Sequence, residues 1–154
     1  MTHKQYKTLY VDRPLLNGEQ LVEWARKAGF DKVLDPSDMH VTIAFSRGVV
    51  DWANFKPKTD TLRVLSTDNR SMIPLGDKGA VVLKFSSSRL QSRWKEFVDG
   101  GCSWDYPGYQ PHITITYNGD TEKVDKTPYN GPLIFGPERF KEVELDWEKK
   151  VKET

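Results

Sequence analysis

Cysteine is almost absent from this sequence, since Cys102 is the only one among 154 residues. A single thiol excludes an intramolecular disulfide and a zinc cluster built on several cysteines. An excess of one charge is missing as well, because 23 lysine and arginine residues are balanced by 22 acidic residues, leaving a formal net charge of +1. A balanced chain has no overall electrostatic attraction to nucleic acid or to a membrane surface. A phosphate-bearing ligand would therefore need a local binding site.

Long apolar runs are also missing. No uninterrupted stretch approaches the roughly 20 apolar residues of a membrane-spanning helix, and residues 1–7 are largely polar. The length suits one ordinary domain with its own hydrophobic core. We therefore expect a single domain over residues 1–154, with no membrane partner, that stays in the cytoplasm.

What the sequence does contain is one short pattern that occurs twice. A histidine is followed two residues later by a threonine at His40–Thr42 and again at His112–Thr114, each time within alternating apolar residues. Because successive side chains of a β-strand point to opposite faces, the histidine and the threonine share one face. The alternation predicts a polar face made of His40, Thr42, Ala44 and of His112, Thr114, Thr116, and a core face made of Val41, Ile43, Phe45 and of Ile113, Ile115, Tyr117.

The elements around the two patterns follow the same order. A strand at residues 6–11, stopped by Pro14, precedes a helix that starts with an Asn17–Gln20 capping box and ends at Gly29. In the second half, a strand at residues 80–85 precedes a serine-capped helix that ends at Gly100. Further strands are predicted at residues 61–66, 133–135 and 140–147.

The spacing indicates an internal duplication. Gly29 precedes His40 by 11 residues, and Gly100 precedes His112 by 12 residues. We therefore predict two related units, at about residues 5–66 and 79–147, within the single domain. Alternating strands and helices predict two half-sheets with the helices packed outside, so that the two histidine strands line a shared concave interior.

Two histidines on such a surface are suited to acid–base chemistry. The unperturbed pKa of histidine is about 6.5, so near neutral pH one imidazole can accept a proton while the other donates one. The threonine hydroxyls can donate hydrogen bonds to phosphate oxygens, where charge develops during displacement at phosphorus. Metal binding is the less favoured alternative, because the only further imidazole is His3 and neither motif contains a carboxylate. Another alternative is a pair of partly buried histidines that only form hydrogen bonds within a sheet.

The two motifs, 72 residues apart in a duplicated chain, resemble those of the 2H phosphoesterases, which carry two His-x-Thr/Ser motifs. The resemblance covers essentially the whole chain. It implies an α+β fold of the RNA ligase/cyclic phosphodiesterase-like type, in which two antiparallel half-sheets line a concave cleft with helices outside. It also implies that His40 and His112 are the acid–base pair, that Thr42 and Thr114 hold the scissile phosphate, and that neither a metal nor another cofactor is required.

Within this superfamily, the sequence resembles the phage anti-CBASS protein 1 branch in the strand around Tyr10, in residues 74–76 and 81–85, and in residues 135–138. This resemblance implies an enzyme that acts in the cytoplasm of the infected bacterium. It would cleave the 3′-5′ linkages of cyclic di- and trinucleotide immune messengers through a 2′,3′-cyclic phosphate. A 2′,3′-cyclic phosphodiesterase acting on RNA ends is an alternative, although the balanced charge offers no basic track for long nucleic acid. A third alternative is a sponge that binds cyclic nucleotides without cleaving them.

Several other side chains are candidates for substrate binding. The resemblance implies that Tyr10 contacts the ligand. Stacking on a nucleobase would contribute about 1–3 kcal/mol per base, and strand propensity alone would also explain a tyrosine there. The resemblance also implies that a glutamate of the closing strand contacts the base, with Glu142 favoured by its parity and Glu138 as the competitor. Lys84, taken as the counterpart of Tyr10 in the second half, is a candidate phosphate contact. The aromatic residues before the second motif are interpreted either as a lid or as a surface loop held by its own rings; they are Trp104, Tyr106 and Tyr109.

Overall fold

The structure is a computed structural model that describes residues 6–75, 79–117 and 127–143. These residues form eight β-strands and two α-helices in a mixed α+β arrangement, and all the strand pairs are antiparallel. This agrees with the predicted fold class. None of the helices in the described ranges is long and apolar enough to cross a membrane.

The first histidine motif belongs to a three-stranded sheet. Its strands are β1 (Tyr6–Pro14), β2 (His40–Asp51) and β8 (Arg139–Lys141), in the order β2-β1-β8. Leu9 and Val11 of β1 are fully buried, as their alternation predicts. Strand β8 is shorter than the predicted closing strand, of which residues 144–147 lie outside the described ranges.

The second motif belongs to another three-stranded sheet. Its strands are β4 (Ser71–Leu75), β5 (Ala80–Lys84) and β6 (His112–Thr116), in the order β4-β5-β6. Strand β4 was not predicted, and its Pro74 would disfavour a central strand. Since β4 lies at the sheet edge, a proline that cannot donate a hydrogen bond is tolerated there.

A two-stranded sheet of β3 (Leu62–Val64) and β7 (Leu133–Phe135) connects distant parts of the chain. Both strands occur where the sequence predicts them. This small sheet lies next to β1, because Leu15 pairs with Phe135 in an isolated bridge. The fold therefore contains a third sheet in addition to the two predicted half-sheets.

Helix α1 (Gly18–Lys27) buries Leu21 and Ala25 and is followed by Gly29, which has a φ of 108°. The predicted capping box is wrong, because the Asn17 side chain makes no capping hydrogen bond. Its amide instead donates to the carbonyl oxygen of Pro132 at 2.7 Å and accepts from the backbone N–H of Ile134 at 3.1 Å. Asn17 thus joins the start of α1 to β7.

Helix α2 (Ser88–Asp99) starts and ends as predicted. The hydroxyl of Ser87 accepts a hydrogen bond from the backbone N–H of Leu90 at 3.2 Å, which caps the helix. Leu90 and Phe97 are buried on its apolar face. The helix ends at Asp99, and Gly101 has a φ of 112°, which favours glycine.

Both histidine strands contain a β-bulge at the third residue after the histidine. In the first sheet, Asp12 pairs with Thr42 but Val11 pairs with Ala44, which leaves Ile43 as an extra residue. In the second sheet, Val82 pairs with Thr114 but Val81 pairs with Thr116, which leaves Ile115 as the extra residue. An extra residue in one strand shifts every later side chain to the other face. Bulges at matching positions support the proposed internal duplication.

The bulges make the predicted alternation wrong after the threonine of each motif. Ala44 and Thr116, predicted on the polar face, are both 2% exposed and face the core. Phe45, predicted in the core, is half-buried, and its ring centroid lies 6.1 Å from that of Tyr10. Tyr117 is likewise half-buried after the second bulge. The pattern of apolar residues does not reveal the bulges because Ile43 and Ile115 are themselves fully buried.

Candidate active site

The two motif histidines are the first residues of β2 and β6, and each is anchored in the same way. Nδ1 of His40 lies 2.8 Å from the carbonyl oxygen of Asp38, and Nδ1 of His112 lies 3.0 Å from the carbonyl oxygen of Gln110. A carbonyl oxygen only accepts hydrogen bonds, so Nδ1 is the protonated nitrogen in both rings. Nε2 of each ring is therefore the nitrogen without a proton in the neutral form, and both rings are partly accessible.

Contacts between the halves hold the two motif strands beside each other. The hydroxyl of Tyr109, just before β6, donates to the carbonyl oxygen of Thr42 at 2.8 Å. The backbone N–H of Leu34, before β2, donates to the carbonyl oxygen of the bulged residue Ile115 at 2.9 Å. The second bond satisfies a carbonyl group at the point where the β-ladder is interrupted.

Tyr10 supports the threonine of the first motif. Its hydroxyl lies 2.9 Å from Oγ1 of Thr42, and its ring is at 6.5 Å from the imidazole of His40, edge to face. Burial raises the pKa of Tyr10, and the nearby carboxylate of Asp12 raises it further. The phenol therefore stays protonated and remains a hydrogen-bond donor. Tyr10 is thus both an aromatic surface beside His40 and a support for Thr42.

Lys84 lies beside the second motif, although not as predicted. It pairs directly with His112 across β5 and β6 and is half-buried. Its counterpart in the first sheet is Pro14, which pairs with His40, so the predicted correspondence with Tyr10 is wrong. The structure nevertheless brings the lysine next to a motif histidine.

Tyr117 is the aromatic side chain associated with the second threonine. Burial raises its pKa, whereas a hydrogen bond with Thr114 acts in the opposite direction. The tyrosine comes from the same strand segment as its threonine, whereas Tyr10 reaches Thr42 from the neighbouring strand.

A buried carboxylate and an arginine extend the first motif across its sheet. Asp12 pairs with Thr42 on one side and with Arg139 on the other, so the three side chains share one face. Nε and Nη2 of Arg139 donate to the two carboxylate oxygens of Asp12 at 2.7 and 3.0 Å. These hydrogen bonds raise the pKa of Arg139. Lys141, which pairs with Tyr10, lies on the same face.

The aromatic loop before β6 is held by its own rings and by α2. Tyr109 stacks on Trp94 with 5.6 Å between ring centroids, and Trp104 makes edge contacts with Trp94 and Tyr109. Nε1 of Trp104 donates to the carbonyl oxygen of Gly108. Of the three predicted residues, only Tyr106 is mainly exposed, at 63%. These contacts favour the interpretation as a pinned surface loop over that of a lid.

Glu138 is occupied by structural contacts. Its side chain is fully buried, and both carboxylate oxygens accept hydrogen bonds from Arg93 of α2, at 2.8 and 2.9 Å. One of these oxygens also accepts from the backbone N–H of Lys58. Glu138, which directly precedes β8, therefore joins the β7–β8 connection to α2 and is not part of the proposed site.

Glu142 lies directly after β8 and is exposed. The alternation used to place it is wrong within β8, because Phe140 packs on the buried core residue Phe97 and on the partly buried Trp52. Arg139 and Lys141 occupy the face that was assigned to Glu142. Contact between Glu142 and a base remains a prediction.

Sequence reasoning missed Asp12, Arg139, Phe45 and Tyr117. An acidic residue two positions after Tyr10 was a signal for Asp12, because the two share a strand face. Arg139 could be identified only from the register between β1 and β8, which no local pattern specifies. Phe45 and Tyr117 could be identified only from the two bulges. Within the described part of the chain, no group of three or more His, Cys, Asp or Glu side chains is placed to hold a metal ion.

Comparison with known proteins shows one family. The family model of anti-CBASS protein Acb1 matches residues 7–150. An anti-CBASS protein Acb1 from Caulobacter sp. (strain RHG1) is 44% identical over 153 residues, which is 96% of this chain and 24% of that protein. This chain thus spans about a quarter of the length of that relative. An anti-CBASS protein Acb1 from Vibrio phage KVP40 is 28% identical and covers 84% of this chain and 82% of its own length.

Solved structures show the same fold at low sequence identity. Escherichia coli LigT complexed with 3′-AMP superposes with a TM-score of 0.53 at 15% identity, over 91% of this chain and 97% of LigT. This likeness confirms the predicted α+β fold of the chain.

Proposed function

This chain belongs to the anti-CBASS protein Acb1 family, and on this premise we propose that it is a phosphodiesterase that counteracts bacterial CBASS defence. Its proposed substrates are cyclic di- and trinucleotide messengers, which it cleaves at 3′-5′ linkages without a metal ion. The observation that carries the proposal is the matched anchoring of His40 and His112 through Nδ1.

The two imidazoles would work as a proton-transfer pair. Nε2 of one neutral histidine removes the proton from a ribose 2′-hydroxyl, and that oxygen attacks the adjacent phosphorus. Nε2–H of the other, protonated histidine gives its proton to the departing 5′-oxygen. The product is a 2′,3′-cyclic phosphate, which water can open to a 3′-phosphate. Proton transfer by a positioned side chain contributes on the order of 10² to 10⁴ in rate.

The two threonines would hold the reacting phosphate between the histidines. Each threonine lies two residues after the histidine of its motif, so its side chain is on the same face of the strand. Thr42 is fixed by Tyr10 at 2.9 Å, and its hydroxyl retains a further hydrogen-bonding position for a non-bridging oxygen. Hydrogen-bond donors already in place stabilise developing charge without reorganisation in the transition state.

The test is to incubate the protein with a 3′,3′-cyclic dinucleotide in excess EDTA and to separate the products by chromatography. We expect a linear product that ends in a 2′,3′-cyclic phosphate or a 3′-phosphate. The matched control is the cyclic dinucleotide with 2′-deoxyribose, which lacks the attacking hydroxyl and should remain intact. Binding of the ribose form without cleavage would instead show a sponge, and rapid cleavage of the deoxy form would exclude attack by the 2′-oxygen.

A further inference from the structure

The side chain of Arg139 is held in one orientation but retains unused donors. A guanidinium has five N–H donors, and within residues 6–75, 79–117 and 127–143 its hydrogen bonds go only to the two carboxylate oxygens of Asp12. The Asp12 side chain is 3% exposed, whereas that of Arg139 is 39% exposed. The carboxylate is therefore buried beneath a guanidinium whose outer part is accessible.

Two other arginines of the described residues are buried and donate several hydrogen bonds within the fold. Arg13, with its side chain 3% exposed, donates to the carbonyl oxygens of Asp60 and Gly136 and to the Asp60 carboxylate. Arg70 is also buried and donates to three backbone carbonyl oxygens. Compared with these, Arg139 is more exposed and uses fewer of its donors, which is the arrangement expected for an arginine that binds a ligand.

The position of Arg139 relates it to the proposed reaction centre. Arg139, Asp12 and Thr42 are consecutive cross-strand partners on the same face of the first sheet. Two strand spacings separate the outer two, which is about 10 Å between backbones. Lys141 lies in the next row on this face, beside Tyr10, so β8 presents two cations along the edge of the sheet.

We propose that Arg139, oriented by Asp12 and assisted by Lys141, binds the second, non-reacting phosphodiester of a cyclic oligonucleotide. This inference rests on the proposed function. A cyclic dinucleotide carries two phosphodiesters in one macrocycle, so fixing one between the histidines brings the other over the neighbouring strands. A planar guanidinium held by a carboxylate can donate two parallel hydrogen bonds to phosphate oxygens. Arg139 thereby selects cyclic messengers over ligands that contain a single phosphodiester.

The experiment compares two ligands by titration calorimetry in His112→Ala, in which turnover should be slowed at least about 100-fold. The ligands are 3′,3′-cyclic di-adenylate, with two phosphodiesters, and linear adenylyl-3′,5′-adenosine, with one. Adding Arg139→Gln should raise the Kd of the cyclic ligand about 10- to 100-fold, because a hydrogen bond to a charged group is lost. The Kd of the linear ligand should change less than about twofold.

The matched control is Arg89→Gln. Arg89 is also a partly exposed arginine bonded to an aspartate, Asp60, but it lies in α2 rather than in the first sheet. It should leave both Kd values unchanged. Arg139→Lys keeps the positive charge but not the planar guanidinium, so it should raise the Kd of the cyclic ligand by an intermediate amount. This variant replaces Arg139→Gln in the test if the glutamine variant does not fold.

If the Arg139 variants weakened the binding of both ligands equally, the pair with Asp12 would be merely structural and the inference would be overturned. The inference would also be overturned if neither ligand bound more weakly, or if the cyclic ligand did not bind to His112→Ala. The proposed function is tested separately by turnover of the native protein. An Arg139-dependent Kd without cleavage by the native protein would refute the phosphodiesterase and leave the phosphate site standing.

Discussion

At the scale of single residues, the two histidines differ in sequence context but not in anchoring. Nδ1–H of each ring donates to a backbone carbonyl oxygen two residues earlier, that of Asp38 for His40 and that of Gln110 for His112. Because backbone groups fix both rings, neither tautomer depends on a neighbouring side chain. The acid and base roles would therefore be set by which ring carries the extra proton when substrate binds.

Tyr10→Phe tests the support of the first threonine. The variant keeps the ring but removes the hydroxyl that lies 2.9 Å from Thr42. The net contribution of one hydrogen bond is about 1 kcal/mol, so kcat/KM for a cyclic dinucleotide should fall about fivefold. Tyr10→Ala should lower it further because the stacking surface is also lost. Steady-state kinetics measures both.

The control for Tyr10→Phe is Tyr129→Phe. The Tyr129 hydroxyl also donates a hydrogen bond, to the carbonyl oxygen of Pro132 at 3.1 Å, but it lies by β7 rather than in a motif sheet. It should lower the free energy of unfolding without changing kcat/KM. If Tyr10→Phe had full activity, the support of Thr42 by Tyr10 would have no part in catalysis.

At the scale of strands and helices, the bulges decide which side chains share a face with the motif residues. Without the bulge at Ile43, Phe45 would face the core and Ala44 would lie beside Tyr10. The same shift at Ile115 moves Tyr117 away from the core. Both shifts are invisible to an alternation argument, since a bulge is fixed by pairing with a partner strand rather than by local residue preference.

Glu138→Gln tests the role of the buried ion pair between the β7–β8 connection and α2. Removing the charge leaves the Arg93 guanidinium buried without its main partner, although Glu96 still contacts it at 3.0 Å. Breaking a buried pair from one side costs about 3 kcal/mol of unfolding free energy. We expect this loss in urea denaturation, with kcat/KM of the folded protein unchanged.

Glu96→Gln is the matched control, because it removes the exposed partner of the same arginine. Its side chain is 55% exposed, and such pairs contribute about 0–1 kcal/mol. A selective loss of substrate affinity in Glu138→Gln, without loss of stability, would contradict the structural role and restore Glu138 as a base contact.

At the scale of the whole molecule, the two motif sheets share several features but differ in the side chains around them. The two sheets share the histidine, the threonine and the bulge at matching positions. Next to these, the first sheet places Tyr10, Asp12 and Arg139, whereas the second places Lys84 and Tyr117. Charge is therefore concentrated locally in a chain whose formal net charge is only +1.

Much of this scaffold could be predicted because it depends on local patterns. The strands that bury Leu9 and Leu83, the serine cap of α2 and both motif strands all follow from residue periodicity and capping. The partners of Arg139, Lys84 and Glu138 could not be predicted, because they depend on the register between strands and on contacts distant in sequence. Asn17 shows the same limit, since a distant bond to Pro132 replaces the expected cap.

The most direct test of the account is the cleavage rate of a 3′,3′-cyclic dinucleotide, in EDTA, by His40→Ala, His112→Ala and the double variant. His3→Ala, at a histidine outside the described residues, serves as the control and should have the native rate. Each motif variant should lose at least about 100-fold in kcat, and the double variant should be about as slow as the slower single one because the pair acts as a unit. A native rate in either His40→Ala or His112→Ala would contradict the account.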